Sequence, residues 1–474
     1  MMKLQDLLLI RHELLLTLTA LILIVAEIFI DDKSKKKIVP LALFLMIVVT
    51  AAGILFPVNG TAFGGMYQTD ALRSAMKTIL DIATVIIILQ SYGWVSKKVN
   101  QNKTSEFYIL MISTLVGMNF MISSGDFLML YLGLELATIP IAAMAAFDRH
   151  KSNSAEAGIK LILSSALSSA VLLYGLSLIY GTTGSIYFEE VRAAFRIEPL
   201  PILGLVFFVT GMGFKISLVP FHLWTADVYE GSPIAVTSFL SVVSKGAAVF
   251  IFTFVLYTVF APVSAFWSQV LVVLSVTTMT VGNLFALRQE NMKRFLAFSS
   301  IAQAGFILLG ILGQGEQGFG SVIFFLLVYV FTNLAAFSVV AAISDKTGKE
   351  NMADYNGLYK TNPNLSLIMM LALFSLAGIP PVAGFFGKLF LFSAAASNGY
   401  YWLLFVAVMN ATISLYYYLR PVRAMFIEKN DNPIPTFKSD IYMRIGIAVS
   451  VAGIFLTGFI SAIYEYYLSI SNLF

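Results

Sequence analysis

No cysteine occurs among the 474 residues, and only three histidines do. Without cysteine the chain cannot form a disulfide, ligate an iron–sulfur cluster or build a thiolate metal site. The histidines, His12, His150 and His222, are too few and too scattered to indicate a haem or zinc site. The sequence therefore predicts no bound metal.

Charge is also scarce, since charged residues make up 12% of the chain and hydrophobic residues 58%. A soluble domain carries about 25% charged residues. The basic residues are dispersed rather than collected on one stripe, so nothing indicates a nucleic-acid-binding surface. The composition predicts an integral membrane protein embedded in a lipid bilayer.

Fourteen apolar stretches have the length of membrane spans, for which about 20 residues are needed. We therefore predict an all-α polytopic fold. The stretches are residues 14–30, 38–57, 76–95, 105–122, 127–147, 157–180, 199–225, 232–260, 266–288, 294–312, 318–343, 365–397, 399–427 and 441–467. The seventh, eighth and twelfth exceed one straight span, so we expect them to tilt or break.

Lysine and arginine are distributed unevenly between the two sides of this predicted topology. Twenty-one of the 30 lie in or beside the odd-numbered loops, and six, including Arg73 and Lys77, lie on the side of the termini. Cytoplasmic loops are enriched in these residues, so we predict both termini outside the cytoplasm. Asp81 and Glu27 lie near predicted span ends and are expected at the membrane interface.

The three remaining basic residues, Lys215, Lys245 and Lys388, fall inside spans 7, 8 and 12, and Glu135 falls inside span 5. A charge at mid-membrane costs about 2.5–3.5 kcal/mol and usually faces a cavity or a partner. Structural pairing cannot account for three lysines and one glutamate. A lysine removed from water can release its proton, because its charged form loses hydration, whereas an arginine cannot. The pattern predicts a proton relay in which Glu135 acts on Lys215.

Helix-breaking residues accompany two of these lysines. Pro220 lacks an N–H and clashes with the carbonyl of Ile216, so span 7 must kink or unwind just after Lys215. In span 12, Gly378, Pro380 and Pro381 precede Lys388. Freed carbonyls are tolerated in a membrane only where they are buried in protein or line water. Broken helices 7 and 12 therefore predict a hydrated transport site.

The two breaks occupy corresponding positions in two predicted units of five spans. Residues 105–260 hold spans 4–8, and residues 266–427 hold spans 9–13. An odd number of spans per unit inverts the second unit in the membrane. Residues 1–100 carry spans 1–3, and residues 441–467 carry span 14, so we expect a single membrane domain.

The sequence supports two interpretations for several polar residues. Span 10 has no acid matching Glu135 and offers Ser299, Ser300 and Gln303 instead. His222 either relays protons or caps the broken helix. Lys160 either joins the proton path or extends to the interface. Asp227 is expected to be solvated, as is Glu230.

Three motifs resemble a known family. PFHLWTADVYEGSPIAVTSFLSVVSKGAA (residues 220–248) closely resembles the signature of the subunit N family of bacterial respiratory complex I, the proton-pumping NADH:quinone oxidoreductase. EAGIKLILSSALSSAVLLYG (156–175) resembles the family's span 6, and LAGIPPVAGFFGK (376–388) its span 12. Ala226 and the pair Ile234–Ala235 depart from the family's usual residues and affect only the expected loop geometry.

The resemblance implies an antiporter-like, proton-translocating subunit in the bacterial plasma (inner) membrane, within the electron transport chain. The family's relay residues correspond to Glu135, Lys160, Lys215, Lys245 and Lys388. It also implies partners among the other membrane subunits, including neighbouring antiporter-like ones. NADH, flavin, iron–sulfur clusters and quinone are expected on other subunits, so this chain would carry no redox chemistry and no cofactor.

Two alternatives remain at the level of sequence. One is a subunit of a multisubunit sodium/proton antiporter, driven by ion gradients rather than by redox energy. The other is a passive membrane scaffold. The motif that runs from Pro220 to Lys245 favours the respiratory subunit over the antiporter.

Overall fold

The computed structural model describes residues 4–97 and 99–471, with the side chains of residues 6–31, 35–97 and 99–471. Each of the fourteen predicted stretches coincides with helix, so the all-α membrane fold is confirmed. Twelve of the described helices are long and apolar enough to cross a membrane. The other two predicted spans coincide with the 25-residue helix Ala71–Val95 and with a pair of 15-residue helices between residues 363 and 397.

The spans keep the numbers of their predicted stretches. Their helices are, in order, Arg11–Phe29, Ile38–Leu55, Ala71–Val95, Thr104–Ile122, Phe127–Ala145, Ser152–Thr183, Pro199–Ile216 with Leu223–Gly231, Ile234–Phe239 with Lys245–Thr258, Ser264–Ala286, Met292–Leu312, Gly315–Thr347, Pro363–Ala377 with Ala383–Ser397, Tyr401–Phe426 and Ile441–Phe459.

Shorter elements connect the spans. The α-helices are Leu4–Leu9, Phe188–Ala194, Leu358–Thr361 and Ser461–Ile470, and the 3₁₀ turns are Asp32–Lys37, Phe63–Gly65, Gln101–Lys103, Ala261–Val263 and Met352–Tyr355. Strands Gly60–Ala62 and Tyr67–Thr69 form an antiparallel hairpin in which Gly60 faces Thr69.

Spans 7, 8 and 12 are the interrupted ones, as their length indicated. Spans 7 and 12 each separate into two helices, which confirms the two predicted breaks. Span 8 continues through a π turn, Leu240–Ser244, directly before Lys245. A π turn widens the helix locally and is frequent at functional sites.

Spans 10 and 11 form the centre of the molecule. Their most apolar segments are completely buried, whereas spans 1 and 2 leave most of theirs at the surface. Span 10 contacts spans 9, 11 and 12 and the second helix of span 7. Side chains on span 10 are therefore placed to meet residues from both broken helices.

Spans 4 and 5 approach so closely that their backbones touch. A Cβ atom added to Gly117 would lie 2.4 Å from the amide nitrogen of Ala137, and one added to Gly133 would lie 2.6 Å from that of Met121. Small residues at helix contacts permit this approach in membranes. The contact fixes the position of span 5, which carries Glu135.

The expected interfacial position of Asp81 is wrong. Span 3 begins at Ala71, five residues before its predicted start, so Arg73, Lys77 and Asp81 all lie within the helix. All three side chains are buried, and Asp81 is completely so. Polar residues in the first turns of this helix interrupted the apolar pattern and concealed its start. The surrounding spans cover these residues, so the helix extends through them.

We predict that Gly117→Leu prevents normal packing of spans 4 and 5, because the side chain would have to displace backbone atoms. The expected loss is at least about 3 kcal/mol of stability, as in severe overpacking. The measurement is the thermal midpoint of the solubilised protein, together with its level in the membrane.

Gly181→Leu is the matched control. Gly181 also lies in a span, but a Cβ atom there would meet nothing within 4 Å. Equal effects of the two substitutions would contradict the inferred helix contact.

Candidate functional site

Lys215 lies in the last turn of the first helix of span 7. Ser217, in the left-handed region with φ 68°, ends that helix. The last carbonyls of a helix lack intrahelical donors and carry partial negative charge, which favours a cation beside them. The indole Nε1 of Trp224 donates to the carbonyl of Phe214 at 3.1 Å and ties the second helix back to the first. The break therefore creates an acceptor-rich position for the lysine.

Glu135 and Lys215 lie close together but make no direct ion pair among the described residues. The Nζ of Lys215 donates to the hydroxyl of Thr138, which lies three residues after Glu135 on the same face of span 5. The charge of Glu135 is near enough to act on Lys215. Its Oε1 is buried and has no hydrogen-bond partner within the described part of the chain. The Thr138 hydroxyl donates to the carbonyl of Leu134 at 2.5 Å, so it ties Lys215 to span 5 beside Glu135 without contacting the carboxylate.

Lys388 repeats this arrangement at the break in span 12. Gly378, with φ 87°, ends the first helix, and Lys388 lies in the second. The Nζ of Lys388 donates to the carbonyl of Ala377 at 3.0 Å and lies 4.7 Å from the ring centre of Phe306. The side chain is 5% exposed. Both broken helices therefore place a lysine beside the break, on the first half in span 7 and on the second half in span 12.

Lys245 contacts span 10 immediately after the π turn of span 8. Its Nζ lies 3.2 Å from the carbonyl and 2.5 Å from the hydroxyl of Ser300. Ser300 is one of the polar residues that the sequence offered in place of an acid. Both acceptors are neutral, so no counter-charge holds the proton on this lysine.

A polar bridge on span 10 joins the surroundings of Lys245 to those of Lys388. Ser299, next to Ser300, bonds to the hydroxyl of Tyr418 at 2.6 Å. The side-chain amide of Gln303 donates to Tyr418 at 3.1 Å and to the carbonyl of Leu376 at 2.9 Å. Leu376 directly precedes Ala377, the residue whose carbonyl binds Lys388. Sequence reasoning missed Tyr418, because one tyrosine in an aromatic span gives no distinct signal.

His222 is buried at the amino end of the second helix of span 7. It occupies the N-cap position, but its side chain makes no capping hydrogen bond. Its Nδ1 has no partner among the described residues. The capping interpretation therefore lacks its expected contact, and the relay role stays a prediction.

Lys160 belongs to an ion-pair cluster rather than to the buried row of lysines. Its side chain is 41% exposed and lies 2.6 Å from Asp227 and 2.7 Å from Glu156. Arg294 at the start of span 10 binds Asp227 at 2.7 Å and Glu230 at 2.8 Å. The expectation that Asp227 and Glu230 are simply solvated is wrong. The cluster links spans 6, 7 and 10.

A polar cavity of about 440 Å³ opens among the odd-numbered loops. It lies beside the turn Ser232–Pro233 that leads into span 8. Lys293 lies at its wall, 3.1 Å from Glu350, and donates to the carbonyl of Ser232 at 3.3 Å. Beyond this turn, the buried Ser241 bonds to Tyr329 at 3.2 Å. Polar groups therefore continue from the cavity toward Lys245.

A second group of buried charges lies in spans 1 and 3, away from the predicted relay. The Nζ of Lys77 is 2.5 Å from Glu13, and His12 is 3.0 Å from Asp81. The predicted topology put Lys77 on the side of the termini, and His12 and Glu13 lie just before the predicted start of span 1. The helix of span 1 in fact begins at Arg11, so both residues belong to it.

Two broken helices that each carry a lysine, set in a bundle of membrane spans, define the class of antiporter-like membrane proteins. The model of the NADH:quinone oxidoreductase/Mrp antiporter transmembrane family matches residues 124–414. The chain belongs to this family. Within it, the chain is 50% identical to NADH-quinone oxidoreductase subunit N of Phocaeicola vulgatus over 454 residues, which is 96% of both chains. The resemblance to the subunit N family is thereby confirmed.

Solved structures agree with this assignment. A chain of respiratory complex I from Thermus thermophilus with bound aureothin is 30% identical, with a TM-score of 0.81 over 96% of this chain and 98% of that one. A chain of the Mrp complex from Dietzia has a TM-score of 0.86 over 99% of this chain and 97% of that one, at 21% identity. At this identity, the similarity to the Mrp chain shows a shared fold alone.

We predict that Asp227→Asn lowers the stability of the solubilised protein by about 1 kcal/mol, since it weakens the attraction that both Lys160 and Arg294 have to one carboxylate. The thermal midpoint at low salt measures the loss. High salt should reduce the difference, because exposed charge pairs are screened.

Asp148→Asn is the control, since Asp148 pairs only with the exposed Lys151 of its own loop in the described ion pairs. Equal shifts in the two variants would contradict a stabilising role of the cluster between spans.

Proposed function

We propose that this chain is the antiporter-like subunit N of a proton-pumping NADH:quinone oxidoreductase and carries protons across the membrane through its buried lysines. The relatives named subunit N support the assignment over nearly the whole chain. The polar bridge between Lys245 and Lys388 is the observation that carries the transport proposal. A passive scaffold would not require two buried ammonium groups held only by neutral acceptors.

The path begins at the cavity among the odd-numbered loops, which we assign to the cytoplasmic side. Span 8 runs from this cavity to Lys245, a distance of about 16 Å at 1.5 Å per residue. Ser241 lies along that distance and bonds to Tyr329. Water beside these hydroxyls would complete the inlet, because each hydroxyl both donates and accepts.

From Lys245 the proton moves toward Lys388 along span 10. The hydroxyls of Ser299 and Tyr418 exchange donor and acceptor roles, and water would carry the proton from Ser300 to Ser299 and from Tyr418 to Lys388. Gln303 orients Tyr418 and holds the carbonyl of Leu376 beside the end of the helix. The proton then reaches Lys388 and leaves along the second helix of span 12, which runs to the opposite face.

Glu135 and Lys215 regulate this row by their charges. A charged Lys215 repels a proton at Lys245, and Glu135 offsets that repulsion when it is near and ionised. Electrostatic coupling is strong where water is excluded. A change at a neighbouring subunit that moves or neutralises Glu135 would therefore release protons from the row. Lys160 and His222 belong to the proposed relay as peripheral members.

The redox steps belong to other subunits of the complex. NADH, flavin, iron–sulfur clusters and quinone would bind there, and this chain would contribute proton transfer alone. Its partners are the other membrane subunits, including neighbouring antiporter-like ones, in a bacterial plasma (inner) membrane.

We predict that Lys388→Met and Lys245→Met each lower the number of protons pumped per electron, because each removes one proton-binding site. NADH oxidation should persist when an uncoupler removes the opposing proton gradient. Proton uptake and NADH oxidation would be measured together in membrane vesicles. Lys346→Met, at an exposed lysine on the odd-loop side, is the control and should leave both unchanged.

Unaltered proton counts in both buried-lysine variants, with normal assembly, would refute the path. Purification identifies the complex: co-migration with cation-exchange subunits instead of an NADH-oxidising complex would support the antiporter alternative.

We predict that a cysteine at Lys438 reacts with an impermeant maleimide from the cytoplasmic side, and one at Arg192 from the opposite side. The natural chain has no cysteine, so each variant reports one position. Both residues are exposed. Reaction of the two from the same side would contradict the proposed topology.

A further inference from the structure

Spans 1 and 3 contain ionisable side chains that the proposed proton path does not use. The Nε2 of His12 lies 3.0 Å from Oδ2 of Asp81, and Asp81 has no exposed surface. Neither carboxylate oxygen has an aligned hydrogen bond within the described part of the chain. A buried carboxylate without hydrogen bonds depends on a nearby positive charge or a bound proton. His12 is the nearest group that provides either.

The charged neighbours of this pair compensate one another. Lys77 binds Glu13 at 2.5 Å and the hydroxyl of Tyr67 at 3.0 Å. Burial raises the pKa of the Tyr67 phenol, which thus keeps its proton and donates a hydrogen bond to Glu13 at 2.9 Å. Lys77, Glu13 and Tyr67 thus bind one another. Asp81 pairs with His12 instead.

The other elements around the pair add little charge. Span 2 contributes Gly53, and a Cβ atom there would lie 3.1 Å from the His12 ring. Arg11 lies at the terminal face beside His12. Span 4 carries Glu106 at its exposed start and Tyr108, which bonds to Ser91. These neighbouring elements therefore add little charge beside His12 and Asp81.

A small cavity on the side of the termini gives water access to His12, the outer member of this pair. A cavity of about 30 Å³ is lined by His12, Lys77 and Tyr67, and it opens beside Arg11 and Pro57. This volume holds one or two water molecules, and the lining supplies the polar partners that such water needs. The His12 side chain is 12% exposed, so its ring is accessible from the cavity.

Apolar packing separates the pair from the lysine row. Met76 and Leu80 of span 3 lie against Gly246, next to Lys245. Protons that enter from the terminal face thus meet apolar side chains before they reach span 8.

We propose that His12 and Asp81 form a second proton-binding site, which exchanges protons with the terminal face and stands apart from the path through Lys245 and Lys388. The ligand is a proton delivered by cavity water. This site does not depend on the function proposed above.

Diethyl pyrocarbonate tests the site, because it modifies neutral imidazole and spares the protonated ring. The assembled complex in lipid nanodiscs would be labelled over a pH series, and peptide mass spectrometry would separate the three histidines. The rate at His12 should rise with pH, with the exposed His150 as an internal reference. Asp81→Asn should change the labelling rate at His12, because the ring then faces a neutral amide in place of a carboxylate 3.0 Å away.

Thr78→Val is the matched control on the same helix. Its hydroxyl bonds to the carbonyl of Ser74 in its own helix, so the variant should label as the natural protein does. A His12 that stays unlabelled at every pH would overturn the access route. An unchanged rate in Asp81→Asn would overturn the shared site. If that variant does not assemble, Asp81→Ser gives the same comparison, and the pH series of the natural protein still tests access.

Discussion

A backbone that crosses a membrane must satisfy its own polar groups, and the two broken helices do so incompletely. Each first half ends in the left-handed region, at Ser217 and at Gly378, and leaves carbonyl groups without helix partners. Lys388 donates to one of these carbonyls, that of Ala377, whereas Lys215 lies in the last turn before Ser217 and donates to Thr138 of span 5. At span 12 the helix break and the buried ammonium group thus stabilise each other, since exposed carbonyls lower the cost of a cation and the cation lowers the cost of the carbonyls.

The molecule treats its buried lysines in two ways. Lys77 has a carboxylate at 2.5 Å, so its proton is held by charge. Lys245 and Lys388 contact hydroxyl and carbonyl oxygens alone among their described hydrogen bonds. Without a counter-ion, the proton on each of these two lysines is not held by an opposite charge, as it is on Lys77. The same residue type therefore serves packing between spans 1 and 3 and, in the proposed path, proton exchange in spans 8 and 12.

Span 10 connects the two halves of the proposed transport system. It is completely buried, and it supplies hydroxyl and amide groups where the first five-span unit has Glu135. Ser300 faces Lys245, and Gln303 faces the end of the first helix of span 12. A neutral residue there can bridge two lysines without trapping a proton, which a carboxylate at the same place would do. In the proposed path, this gives the chemical difference between the two units a functional reason.

Hydropathy and the positions of charged residues determined the number of spans, their class and the four mid-membrane charges, because these properties depend on local sequence. Proline alone did not decide the breaks: Pro140 and Pro421 lie inside continuous helices, whereas the first helix of span 7 ends at Ile216, four residues before Pro220. The tertiary structure decided which neighbours receive the freed carbonyls. It also decided that Tyr418 meets Ser299 and that Asp81 meets His12, since contacts between distant spans depend on helix rotation and packing, which composition does not encode.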